Sequence, residues 1–431
     1  MIGQIIFLLV TIAAIGLFTY NARKIVRNIK LGKPLDRSDR RADRWATMAR
    51  VALGQSKMVV RPVPGILHIL VYAGFVIINI EVLEIAIDGL FGTHRIFSFL
   101  GGFYGFLIGA FEWLALAVWI SCAVFLIRRN IVKVKRFWAR EMTSWPRSDA
   151  NYILFAEILL MSAFLLMNSA DHKLQLEGAT HYLKAGAFPV SSWLSPLLPS
   201  SESSLVLLER ICWWFHIVGI FAFLNYLPYS KHFHIILAFP NTYFSKLNPK
   251  GEFDDMQSVT NEVKAMLDPS FTPVTSAEPV RFGAKDATDL TWKNLMDAYT
   301  CTECGRCTSV CPANITGKLL SPRKIMMDTR DRITEIGKNI DKHGKDHRDG
   351  KALLDDYILR EEIWACTTCN ACTDACPVNI DPLNIIVELR RYAVMEESQA
   401  AASLNSMFGN IENNGAPWKY SPADRLNWAN Q

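Results

Sequence analysis

No glycine-rich nucleotide fingerprint and no flavin-binding signature occurs in the 431 residues, which assigns any hydride chemistry to another chain. Glycine (24) and proline (19) are too sparse for a collagen-like fibre, and ten cysteines are too few for a small disulfide scaffold. With 50% apolar and 20% charged residues the chain is not disordered either. Net charge is +5 and mean hydropathy +0.14, averages that resemble a soluble protein of two or three domains. What is present is unevenly placed. Residues 1–245 hold 24 Lys+Arg against 14 Asp+Glu, whereas residues 246–431 hold 22 against 27. The long apolar runs lie in the first part and eight of the ten cysteines in the second.

Five runs are long and apolar enough to cross a bilayer: Ile2–Tyr20, Pro64–Ile87, Leu100–Ile127, Asn151–Ala170 and Leu205–Leu227. The first has neither the basic stretch before it nor the small-x-small site after it that a secretory signal needs. Residues 21–63 carry twelve Lys/Arg opposed only by Asp36, Asp39 and Asp43, and residues 128–149 are basic too. The segments 88–99 and 171–204 show no such excess. The positive-inside rule then puts the N-terminus outside and the C-terminal half in the cytoplasm, at an inner membrane. Cations that flank membrane spans need no nucleic acid to explain them.

His216 and His234 are 18 residues apart, five turns of one helix, and so would share a face about 27 Å apart. One haem iron cannot bind both; two haems stacked across the membrane would take one each. His232 falls about 160° round that helix and makes a poorer ligand, and Pro228 is expected to bend the segment. The partner of His234 is expected to be His68, near the cytoplasmic start of the second span, giving a bis-imidazole haem b site. Packing or interfacial histidines are the plainer alternative.

The run His216-Ile-Val-Gly, followed by Leu-Pro-Tyr-Ser-Lys-His-Phe-His234, resembles the fifth helix of the gamma subunit of respiratory nitrate reductase. That resemblance implies a five-helix, N-outside, di-haem b quinol oxidoreductase anchor. His68 and His234 would hold the cytoplasmic-side haem and His216 would belong to the outer one. Ile78 stands where the family has the second outer ligand, so the outer haem is absent or takes a replacement such as His172 or His94. Glu81, Glu84, Glu112 and Glu157 lie within spans and are candidates for proton exchange with a quinone, against pairing with Arg210 or polar helix packing. Gly101, Gly105 and Gly109 read as a helix-packing stripe, and Cys122 and Cys212 as core filler.

The second half repeats with a period of 65. Cys301-Thr-Glu-Cys304-Gly-Arg-Cys307-Thr-Ser-Val-Cys311-Pro312 is followed by Cys366-Thr-Thr-Cys369-Asn-Ala-Cys372-Thr-Asp-Ala-Cys376-Pro377. This is the ferredoxin spacing for two [4Fe–4S] clusters, in which the fourth cysteine of each run serves the other cluster. The expected sets are Cys301, Cys304, Cys307 and Cys376, and Cys366, Cys369, Cys372 and Cys311. Structural zinc lacks this spacing, and a reducing cytoplasm disfavours disulfides. Helices are expected at Thr291–Tyr299, Leu353–Trp364 and Leu383–Met395, with a solvated helix-loop insertion over 321–352.

The tandem motif and the tail from Gly415-Ala-Pro-Trp418 to Trp428 resemble the iron–sulfur subunits of heterodisulfide reductase, glycolate oxidase and membrane-bound electron-transfer-flavoprotein:quinone reductases. In fused members of that group a Gly-x-Pro-Trp segment leads into cysteine-rich CCG domains. The resemblance implies a separate CCG-bearing or flavoprotein subunit docking on the C-terminal arm.

The expected fold is therefore all-α: a five-helix transmembrane bundle (1–245), a linker (246–290), a mainly helical cytoplasmic ferredoxin-like domain (291–400) and a docking arm (401–431). The expected role is electron transfer between a cytoplasmic redox partner and a quinone or menaquinone, through two [4Fe–4S] clusters and haem b, with a second haem open. A haem-free anchor and a non-redox, cluster-bearing scaffold are the alternatives. A transporter is disfavoured because five spans show no inverted repeat.

Overall fold

The computed structural model describes residues 1–249, 251–272 and 281–430, and these are all-α: no β-strand occurs among them. Part of the expected linker, residues 273–280, lies outside the described residues. Five helices are long and apolar enough to cross a membrane. They are α1 (Ile2–Ile29), α2 (Pro62–Phe91), α3 (Gly102–Asn130), α4 (Ser144–Glu177) and α5 (Glu202–Tyr226). Their ends follow local chemistry. Pro62 sits in the first turn of α2, where its missing N–H costs nothing, and Gly92, at φ 72°, closes the helix. The Ser201 hydroxyl accepts from the Ser204 amide at 3.2 Å to start α5.

The bundle runs α2–α3–α4–α5 by neighbour packing, with α1 lying against both α2 and α5. Its interior is apolar, built on Phe7, Ile78, Ile108, Phe111, Phe164 and Ile217. Apolar side chains also face outward: Leu9 and Ile12 on α1 are each 60% exposed, a surface that needs lipid to cover it. Gly105 and Gly109 face Ala187 and Pro189 of a connecting segment, so the expected helix-packing stripe packs on a loop instead.

His216 and His234 do not share one helix. The chain leaves α5 at Tyr226 and passes through 3-10 turns at Leu227–Tyr229 and Lys231–Phe233. It re-enters a helix, α6 (His234–Tyr243), only at His234 itself. Pro228 cannot continue the hydrogen-bond ladder, and extended Ser230 starts the next turn by accepting from the His232 amide at 3.0 Å. The single-face, five-turn geometry expected from spacing therefore fails.

The cysteine-bearing half packs on one end of the bundle. A single apolar core joins Ile25 and Ile29 of α1, Leu227, Phe233 and Leu237 to α7 (Trp292–Thr300), α8 (Pro322–His343) and α9 (Pro382–Met395). The end of the expected linker belongs to this core, since Ala284, Ala287 and Leu290 are buried in it. Helix α8 is no solvated insertion: Ile325 and Ile333 are fully buried along its inner face. Gly337 lets it approach α1, because a Cβ there would stand 2.3 Å from Asn28 Oδ1. The helix expected over Leu353–Trp364 is broken at Asp355, φ 79°, into Leu353–Asp356 and Arg360–Trp364. The C-terminal arm forms a helix, Ala402–Asn414, followed by short turns that leave Trp418 and Trp428 exposed.

Candidate functional site

Both cysteine runs fold as the same loop. Glu303 and Thr368, and Gly305 and Asn370, are equivalent under the 65-residue period, and all four have left-handed backbone with φ between 55° and 70°. Glycine takes this backbone at 305 without strain, and a Cβ there would stand 2.6 Å from the Arg323 guanidinium. These turns aim amides at sulfur: Thr368 N–H donates to Cys366 Sγ at 3.4 Å and Ile380 N–H to Cys376 Sγ at 3.3 Å. A Thr at positive φ is strained, and the strain is stored where amides serve ligands.

The helices Arg306–Val310 and Ala371–Ala375 pack against each other and bring the two runs together. Cys307 then has Cys304, Cys301 and Cys376 as electrostatic neighbours, with Cys372 beyond them. Cys366 has Cys311 and Cys369, and Cys372 has Cys366. The fourth cysteine of each run thus lies near the other run, Cys376 by Cys304 and Cys307 and Cys311 by Cys366. All eight thiols are free of disulfides. Burial pushes the Cys301, Cys372 and Cys376 thiols up to about 12, so a bound cation must supply the charge that deprotonates them. Among the described residues no three His, Cys, Asp or Glu side chains converge tightly enough for one metal ion. Two all-cysteine sets with this spacing are the donor chemistry that suits [4Fe–4S] clusters.

Cations from the basic segments of the bundle close over the first run. Arg306 donates to the carbonyls of Lys57 at 2.8 Å and Met58 at 3.3 Å, and Lys57 Nζ donates to the Cys376 carbonyl at 3.3 Å. Arg61 donates to Ser309 Oγ at 2.8 Å. Glu303, between Cys301 and Cys304, is ion-paired with Lys231 and with Arg330, the latter at 2.7 Å. Burial would raise the Glu303 carboxyl, but Arg330 and Lys231 outweigh it and hold it below the ordinary range.

Immediately beyond lie the histidines. His68 is within electrostatic reach of His234 and Arg306, and His232 is within reach of both His234 and His68. The His232 and His234 rings meet edge-on at 5.4 Å. His234 Nδ1 lies 3.1 Å from the Lys231 carbonyl, which selects the tautomer that leaves Nε2 with a free lone pair. Burial lowers both His232, to about 3, and His234, so each is neutral at pH 7, the form that ligates iron. Buried His68 Nδ1 has no hydrogen-bond partner. His68, with its unpartnered nitrogen, and His234, with its free Nε2, are thus the residues whose donor chemistry suits a bis-imidazole haem.

His216 is different. Its Nδ1 is 3.0 Å from the Leu160 carbonyl, and the ring packs on Phe164 inside the apolar core that also contains Ile78. His172 lies twelve residues beyond Leu160 on α4, roughly 18 Å along the axis, and His94 Nε2 is 3.7 Å from Asp171, its neighbour. Neither shares an iron with His216, so the residues present do not fit an outer haem.

At the far end of the bundle the flagged acids Glu81, Glu84 and Glu112 belong to a polar cluster whose other members, Arg95, Tyr104, Asn168 and Asp171, sequence reasoning missed. Buried Arg95 donates to Asp171, to Tyr104 at 3.1 Å and to Asn168 at 2.9 Å. Glu84 accepts from Tyr104 at 2.9 Å, and Glu112 from Asn168 at 3.3 Å and the Val190 amide at 2.8 Å. Glu81 is buried beside them with one oxygen unpaired. Its acids are the in-span carboxylates singled out in the sequence; the signal left unread was Arg95, a lone cation in a segment without a basic excess. Arg210 pairs with Glu209, not with these acids.

Residues 300–380 match the family model of the 4Fe-4S dicluster domain. The chain is 29% identical, over its full length, to the probable iron-sulfur-binding oxidoreductase FadF of Bacillus subtilis, covering 61% of that protein. It is 25% identical to the EtfAB:quinone oxidoreductase of Syntrophomonas wolfei over 92% of the chain and 55% of the relative. A probable membrane-anchored ferredoxin of Chromohalobacter salexigens is 32% identical over 34% of the chain and 24% of its own length. The chain thus spans less than two thirds of the curated relatives it matches. No solved structure matches it. Residues 300–380 carry the sequence of a 4Fe–4S dicluster domain, on a chain with five helices able to cross a membrane and iron–sulfur oxidoreductases as its relatives.

Proposed function

We propose that the chain relays electrons between a soluble redox partner and a quinone in the membrane. In this reading residues 1–245 anchor the protein in an inner membrane, with the N-terminus outside and the cysteine half in the cytoplasm. Cys301, Cys304, Cys307 and Cys376 hold one [4Fe–4S] cluster, and Cys311, Cys366, Cys369 and Cys372 the other. His68 and His234 hold haem b. When bound, these groups supply one-electron carriers that require no bond making.

The observation that carries the reading is the continuity of the two sites: the cysteine loop holding Glu303 is tied to Lys231, whose carbonyl positions His234. The chain's own residues then have defined tasks. The left-handed turns direct amides toward the sulfurs, Arg306 and Lys57 place positive charge and donors beside the thiolates, and Lys231 fixes the His234 tautomer. The quinone, as menaquinone or a similar carrier, is supported by the printed name of the Syntrophomonas relative, which also points to an electron-transferring flavoprotein as partner. A CCG-bearing subunit would serve the same docking role at residues 401–431.

Dithionite-reduced visible spectra and EPR of the purified full chain test this. A b-type alpha band, two cluster signals and their reduction by a quinol are expected. Clusters without an alpha band would leave a haem-free anchor.

A further inference from the structure

We propose that the two cysteine sets work in a fixed order. The set of Cys301, Cys304, Cys307 and Cys376 faces the membrane histidines. The set of Cys311, Cys366, Cys369 and Cys372 is the port at which a soluble electron-carrying protein docks, over Thr367–Cys369. The inference deepens the electron-relay reading above and rests on it.

Three observations carry the order. Arg306, Ser309 and Cys376 are tied to the bundle at residues 57–61, the segment that leads into the helix bearing His68. On the other side Lys231 joins Glu303 to the start of α6, so the first loop is held between the two histidine-bearing elements. In the second run the bundle's Lys57 reaches Asp374 and Cys376, at the end that serves the first set, whereas the Cys366 end bonds inward to its own domain: the Cys366 amide to Ile363, and Arg390 to the Cys366 carbonyl at 2.5 Å.

Exposure separates the sets in the same sense. Cys369 is the one exposed cysteine of the eight, and Thr367 beside it is exposed as well. Next to this loop lies a shallow recess of about 630 Å³ between Arg360, Trp364 and Ala365 on one wall and Ser398–Ala401, the root of the C-terminal arm, on the other. The arm beyond it carries exposed Trp418 and Trp428. Large aromatics presented beside an exposed ligand loop suit a protein partner, which needs both anchors and close approach to the carrier. Each transfer along this order oxidises the donor by one electron and reduces the acceptor by one, with the soluble carrier protein as outer reactant in either direction.

The test uses the full chain in detergent. The two reduced-cluster EPR signals are assigned with Cys304→Ser and Cys369→Ser, and their power saturation is measured with a soluble dysprosium chelate and, separately, with the haem oxidised. The chelate should speed relaxation several-fold for the Cys369-sensitive signal and leave the Cys304-sensitive one unchanged, while ferric haem should do the reverse. A chelate effect on the Cys304-sensitive signal, or on both equally, overturns the order. If the variants do not fold, the unsubstituted protein still refutes the proposal where one signal responds to both paramagnets. Absence of an alpha band would sink the haem reading alone, because the chelate arm does not depend on it.

Discussion

The Lys231 ammonium is bonded to the Glu303 carboxylate, joining the turn that follows the fifth membrane helix to the loop between two candidate cluster ligands. Neither residue is solvated: their side chains are 8% and 3% exposed. The pair is therefore a joint between the two halves of the molecule, completed by Arg330 on the far side of Glu303.

Lys231→Met should destabilise the protein by about 3 kcal/mol, the low end for breaking a buried pair, because Arg330 still compensates Glu303. Thermal melts in detergent measure this. Adding Glu303→Gln should recover part of the loss, since it removes the carboxylate left under-paired. No recovery would mean that the pair carries no coupling.

Acid sensitivity should reside partly at Asp349. Hydrogen bonding to Arg332 holds its carboxyl down at about 2, from 3.8. A depressed acid contributes stability that is complete above its unfolded value and is lost as pH falls through the folded one. The wild type should lose this increment between roughly pH 4 and 2, and Asp349→Asn should lack it already at neutral pH. Melting temperatures across that range, compared for the two proteins, check the sign.

Cys376→Ser should alter the same EPR signal as Cys301→Ser, and Cys311→Ser the signal of Cys366→Ser, each with loss of up to roughly half the iron. Pairing by sequence neighbourhood, Cys376 with Cys372, would be the contrary result.

His68→Ala and His234→Ala should each abolish the b-type alpha band, whereas His216→Ala should keep it, because His216 is held by Leu160 and Phe164 with no second ligand in reach. Haem content falling by half in His216→Ala would reveal an outer haem after all.

The five apolar runs and the twice-repeated cysteine spacing could be read directly, because each depends on residues within a few turns of one another. The structure places helices on all five runs and brings the fourth cysteine of each motif to the other. The histidine geometry could not be read this way. Uniform helical spacing assumed that Pro228 bends a helix, whereas it ends one, and His234 opens a new helix with a different bearing. Residues 321–352 misled for a related reason: their charge is high, but charged side chains such as Arg323 and Arg332 are buried in ion pairs with Glu141, Asp286 and Asp349.

The sequence by itself determined the class of this protein: helical throughout, apolar in one half, and equipped with two cysteine loops of fixed internal spacing. Only the tertiary structure decided how those halves are wired. Lys231 meets Glu303 across 72 residues and Arg306 meets Lys57 across 249. Such contacts have no periodic signature, because they are set by how the bundle end and the ferredoxin-like core exclude water from a shared surface, not by the chain's local geometry.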